Sequence, residues 1–216
     1  MPRRTPLVAL PVLLGAACSS VYYGTMETFG YHKRDLLVER VQEGRADQAK
    51  AQQQFQTTYE AFQQLTGQPG GELEATYSRL NREYERCKGA AEAVTKRIAS
   101  IEKVARDMFA EWQKENEQYQ SADLRGKSER LLDQTRQRYD SLIAAMKRAE
   151  GKMSPVLGAF GDQVLFLKHN LNAQAIASLQ ETVAEIGSDV ESLIAEMQRS
   201  IAEADAFIAS MAGAEA

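Results

Sequence analysis

Between Leu73 and Tyr119, apolar residues return in alternating steps of four and three. They are Leu73, Tyr77, Leu80, Tyr84, Cys87, Ala91, Val94, Ile98, Ile101, Ala105, Met108, Trp112 and Tyr119, with Glu115 as the one polar break. That spacing puts the side chains on one stripe of a helix, and a stripe repeated in heptads is the mark of helix packed on helix. No proline interrupts it, and Gly89 falls on the outer face. At a rise of about 1.5 Å per residue the helix is about 70 Å long. It cannot leave such a seam in water, so the rest of the chain must supply surfaces that cover it.

Three further stripes meet that need. Val38, Val41, Arg45, Gln48, Gln52, Phe55, Tyr59 and Phe62 keep the same spacing. The polar middle, Arg45 to Gln52, implies loose packing, hydration or hydrogen bonds across the bundle. Thr66-Gly67-Gln68-Pro69-Gly70-Gly71 ends this helix and turns the chain, and Glu72 and Glu74 suit the start of the next. Beyond a cap at Ser121 come Leu124, Ser128, Leu131, Thr135, Arg138, Leu142, Met146, Ala149 and Met153. Gly151 and Ser154-Pro155 predict a break there, followed by a short helix or kinked continuation through Val156, Phe160, Val164 and Leu167. Gly158 and Gly161 lie on that continuation, three apart, where they would allow close helix contact.

Lys168 to Asn172 mark another boundary, with Asn172 placed to cap the last helix. That helix is striped by Ile176, Leu179, Val183, Ile186, Val190, Leu193, Met197, Ile201, Ala204, Ile208 and Met211. Its outward Glu181, Glu185, Asp189, Glu191, Glu196, Glu203 and Asp205 read as a solvated acidic face. The expected fold is all-α: an elongated antiparallel helical bundle, or coiled-coil hairpins, of three to five long helices forming one domain over residues 36–216. These stripes suffice to cover the central seam within one molecule, in place of an extended fibrous dimer.

Residues 1–17 are laid out as an export signal: Arg3 and Arg4, an apolar core from Leu7 to Leu14, then Gly15-Ala16-Ala17. The core is too short to span a bilayer. Cys18 follows at once, and Leu13-Leu14-Gly15-Ala16-Ala17-Cys18-Ser19-Ser20 resembles the lipobox of bacterial lipoproteins. The resemblance implies lipidation of Cys18 and cleavage before it, although Gly15 stands where that pattern has an aliphatic residue. Ser19 after the cysteine resembles lipoproteins sent on to the outer membrane. The alternative is an ordinary secretory signal that leaves Cys18 as a thiol. Cys87, the other of two cysteines, sits on the seam and is expected in the core. Residues 18–35 form a lipid-anchored lead-in, in which Val21, Tyr22, Tyr23, Met26, Phe29 and Tyr31 either cap the bundle end or lie on the bilayer.

The 216 residues carry a net charge of −4 with both signs interleaved, which disfavours nucleic acid as a partner. Of the expected catalytic, cofactor and metal residues there are none. No phosphate-binding loop, nucleophile elbow or metal-ligand spacing is present, and His32 and His169 would form a site only if the fold brings them together.

Cys18-Ser19-Ser20-Val21-Tyr22-Tyr23, His32-Lys33-Arg34-Asp35, Leu165 to Ala173, Leu193 to Met197 and Ile201 to Ile208 carry a further resemblance. Over nearly its full length the chain resembles an uncharacterised proteobacterial family of predicted lipoproteins, a domain of unknown function. The resemblance implies an exported, membrane-anchored helical protein and supplies no functional residues.

The expectation is therefore a non-enzymatic lipoprotein on the periplasmic face of the outer membrane of a Gram-negative bacterium. It is held through lipid on Cys18, acts as a structural or adaptor module, and meets a protein partner through its helical faces. The alternative is a periplasmic chaperone-like or regulatory module gripping client helices at a groove left by the Arg45–Gln52 section.

Overall fold

The computed structural model of the chain describes residues 33–67, 73–170 and 172–212. The signal segment, Cys18, the aromatic lead-in through His32 and the turn at 68–72 lie outside them. Four helices make up the described residues: α1 (Lys33–Gly67), α2 (Leu73–Asn116), α3 (Ala122–His169) and α4 (Ala173–Ala212). Each packs along its two neighbours in the cyclic order α1, α2, α3, α4, so the expected all-α bundle closes on itself.

Paired contacts set the directions. Lys33 Nζ lies 2.6 Å from Glu111 Oε1 at one end of α1, and Arg79 donates to Gln64 at 3.0 Å near the other, so α1 and α2 are antiparallel. The guanidinium of Arg34 donates to the carbonyl of Met211, and Tyr59 lies against Gly187, which returns α4 along α1. Tyr84 against Gly161 and the Lys147–Glu102 ion pair do the same for α2 and α3. Across the core, Phe160 of α3 stacks on Phe62 at 5.1 Å and tilts against Phe55 at 6.4 Å. Phe55, Phe62, Phe160 and Phe207 are among the largest fully buried side chains.

The expected break at Gly151 and Ser154-Pro155 does not occur. α3 runs unbroken through Pro155. An internal proline costs about 3 kcal/mol through a lost hydrogen bond and a ring crowding the carbonyl four residues back. That residue is Gly151, exposed and with nothing within 4 Å of where a Cβ would stand. Met153, Val156 and Phe160 beside it are buried, each contributing about 1.5–3 kcal/mol, enough to hold the helix through the proline.

The central helix ends three residues before the expected Tyr119. Gln118 N–H donates to the Glu115 carbonyl in a turn, and the Ser121 hydroxyl accepts from Leu124 N–H at 3.4 Å to start α3. Two stripes are displaced by one residue in places. Gly44 and Ala51 face the core where Arg45 and Gln52 were expected, and Ser200 and Phe207 replace Ile201 and Ile208.

The four helices do not end together. Lys33, at the start of α1, and Met211, near the end of α4, stand level with Glu111. Phe109 and Tyr139 meet edge to face at 5.5 Å in the same region. The last turn of α2 and the first turns of α3 therefore project beyond the described residues of α1 and α4, as a two-helix hairpin about 20 Å long.

Candidate functional site

Inside the projecting hairpin, Trp112 Nε1–H donates to Ser128 Oγ at 2.9 Å, and the Ser128 hydroxyl donates to Asn116 Oδ1 at 2.6 Å. Asn116 and Leu132 are buried beside them. This relay ties the two helices where only two remain. The heptad pattern placed Trp112 and Ser128 on their seams but not Asn116, which lies one residue past the seam break at Glu115.

On the same hairpin, Leu124, Leu131 and Tyr119 are 52 %, 50 % and 44 % exposed. The periodicity that placed the two leucines on the seam is right about the face. They are open where the described lengths of α1 and α4 do not reach.

At the far end, Leu165, Phe166, Lys168 and His169 are exposed, and Asn172 Oδ1 caps α4 by accepting from Ala175 N–H at 2.8 Å, as its position implied. His32 lies outside the described residues, but Lys33, to which it is bonded, stands at the opposite end of the bundle from His169. α1 alone is about 50 Å long. Among the described residues no group of three or more His, Cys, Asp or Glu is placed to hold a metal ion.

Cys87 is fully buried in the α1–α2 seam, as its stripe position required. Burial pushes its thiol up to about 12, with a partly opposing contribution from a hydrogen bond with Thr58. A thiol held protonated is a poor nucleophile.

The polar section of α1 is occupied by α4. Arg45 Nε pairs with Asp205 at 2.5 Å, and the Ser200 hydroxyl donates to Gln48 Oε1 at 2.7 Å. These are the hydrogen bonds across the bundle that the sequence allowed. Arg97 of α2 bridges Glu43 and Asp47 of α1, and hydrogen bonding from Arg40 leads the causes that lower the Glu43 carboxyl. A shallow groove of about 330 Å³ runs between α1 and α2, lined by Asp47, Lys50, Gln54, Arg86, Gly89, Ala90 and Ala93. It holds charges of both signs, and both Asp47 and Gln54 are already engaged, by Arg97 and Glu83.

The family described as Protein of unknown function (DUF2959) matches residues 22–211. The chain belongs to this family. No curated protein and no solved structure matches it. The DUF2959 match takes in all four helices almost to their end and begins eleven residues before α1, inside the aromatic lead-in.

Proposed function

We infer that this DUF2959 protein is a non-enzymatic lipoprotein of the cell envelope. Acyl chains on Cys18 hold it to the periplasmic face of the outer membrane, and it serves there as a structural or adaptor module. The observation that carries the reading is the order basic start, apolar core, Gly15-Ala16-Ala17 and Cys18, placed fifteen residues ahead of α1. No described helix is long and apolar enough to cross a membrane, so a lipid at Cys18 would do the anchoring. A rod of helices about 65 Å long then reaches into the aqueous space and offers faces to a partner.

Metabolic labelling with a palmitate analogue, followed by membrane fractionation, tests this. Wild type should be labelled and sediment with membranes, whereas Cys18→Ser should lose the label and leave the membrane fraction. Equal labelling of the two, or unchanged membrane association of the variant, would overturn the anchor.

A further inference from the structure

We propose that the apolar face left open on the α2–α3 hairpin is the docking site of this chain's own residues 19–32. On α3, Leu124 and Leu131 are one heptad apart, and Leu142 follows Leu131 by eleven residues, about three turns. All three share a face. Leu142 is fully buried, whereas Leu124 and Leu131 are half exposed. The core stripe of α3 thus continues for two heptads past the end of its cover. A pair of leucines in line with a core, with Tyr119 at the tip, is a surface built to be covered.

The occupant is set by where the chain enters. α1 starts at Lys33, paired with Glu111 at the base of the hairpin. The fourteen residues before it hold Val21, Tyr22, Tyr23, Met26, Phe29 and Tyr31, with Glu27 as their one carboxylate or fixed charge. Such a segment loses little by leaving water and gains about 25 cal/mol per Å² of apolar surface covered. It also has the reach. Fourteen residues span about 21 Å at a helical rise and about 46 Å extended, so either conformation covers a face of about 20 Å. The family match, which takes in residues 22–32 together with the helices, is the pattern expected if lead-in and hairpin form one unit. The proposal is independent of whether Cys18 is acylated.

The test uses the mature chain from residue 18 carrying Cys18→Ser, so that a lipid is not needed and the one other thiol, Cys87, is buried away from the introduced pairs. Phe29→Cys with Leu131→Cys should give an intramolecular disulfide under mild oxidation. Phe29→Cys with Leu165→Cys, an exposed leucine at the far end, should give none. Only intermolecular disulfides would mean that a second copy covers the face. No disulfide, in a protein of unchanged circular dichroism, would mean that nothing in the chain does. Both overturn the proposal.

A second measurement avoids cysteines. Chymotryptic cleavage within Tyr22–Tyr31 should be at least about tenfold faster in Leu124→Ser/Leu131→Ser than in the parent, because the cover is released from its site. Equal rates would overturn the proposal. Trp112, the one tryptophan, lies at the hairpin base and serves as a local probe. Its emission should shift on the double substitution and stay unchanged when phosphatidylethanolamine–phosphatidylglycerol vesicles are added. A shift with vesicles alone would make the bilayer the occupant instead.

Discussion

Burial in the α1–α2 seam pushes the Cys87 thiol from its ordinary 9.0 up to about 12. In the native protein, Ellman's reagent at pH 8 should therefore leave Cys87 untouched, with full reaction only in denaturant. The same shift sets a stability trend. Above about 9 the unfolded chain gives up a proton that the native state holds to about 12, so stability falls as pH rises through that window. Tyr139, pushed from 10.0 to about 12 chiefly by burial, adds to the fall. Urea midpoints at pH 8 and pH 11 should show it. Cys87→Ala should reduce the drop between them while costing on the order of 1 kcal/mol at pH 8 from the cavity it leaves. Gln48 is the second residue with a defined outcome. It is 1 % exposed and its Nε2 has no hydrogen-bond partner in the structure. An unpaired buried amide costs about 1–3 kcal/mol, so Gln48→Leu with Ser200→Ala should be as stable as wild type or more so by urea denaturation. A loss above about 2 kcal/mol would show that the polar layer stabilises the bundle. Cys87 was legible from its heptad position alone. The partner of Gln48 was not, because no single-chain pattern states which residue of a distant helix will stand opposite.

At the level of elements, heptad reading located all four helices, and cap chemistry found Ser121 and Asn172. It failed where small residues carry the packing. Gly44 faces the core, and a Cβ there would stand 2.8 Å from Ile101 Cδ1, 3.2 Å from Met146 Cε and 3.3 Å from Arg97 Cγ. A search for apolar residues passes over such a glycine and takes Arg45 in its place. Of the two glycines whose spacing did point to close helix contact, Gly161 receives the ring of Tyr84, whereas Gly158 has nothing within 4 Å. The two environments give opposite outcomes for one substitution. Gly158→Ala should gain about 1 kcal/mol from helix propensity, seen as a thermal midpoint a few degrees higher. Gly44→Ala has the same propensity gain but is crowded on three sides, and overpacking of about 1–3 kcal/mol should leave it no more stable than wild type and up to about 2 kcal/mol less. If both variants were equally stabilised, the close approach of α1 to α2 and α3 at Gly44 would be wrong. Pro155 teaches the converse. It reads locally as a stop, yet tertiary burial of Met153, Val156 and Phe160 overrides it.

For the whole molecule, the fold class was legible because each stripe needed cover and the connecting turns were short enough to bring neighbours back antiparallel. The unequal ends were not, since the hairpin projects through differences in helix length and register that no single stripe reports. This asymmetry has a consequence for the proposed anchor. α1 enters at the hairpin end, so a lipid on Cys18, fifteen residues upstream, tethers the protein by that end. The turn between α2 and α3 then faces the bilayer, and the end bearing Leu165, Phe166 and His169 stands away from it by about the length of α3, 70 Å. With Cys87 buried, and with Cys18 acylated as proposed, a cysteine introduced at Gln120 or at Asn170 provides the one reactive thiol for a donor dye. With acceptor-labelled lipid in the membrane, transfer should be strong from residue 120 and weak from residue 170. Equal transfer would mean that the bundle lies along the membrane, and stronger transfer from residue 170 would mean that it stands inverted. The first result would take away the reach on which the adaptor reading rests, and the second would overturn the tether at the hairpin end.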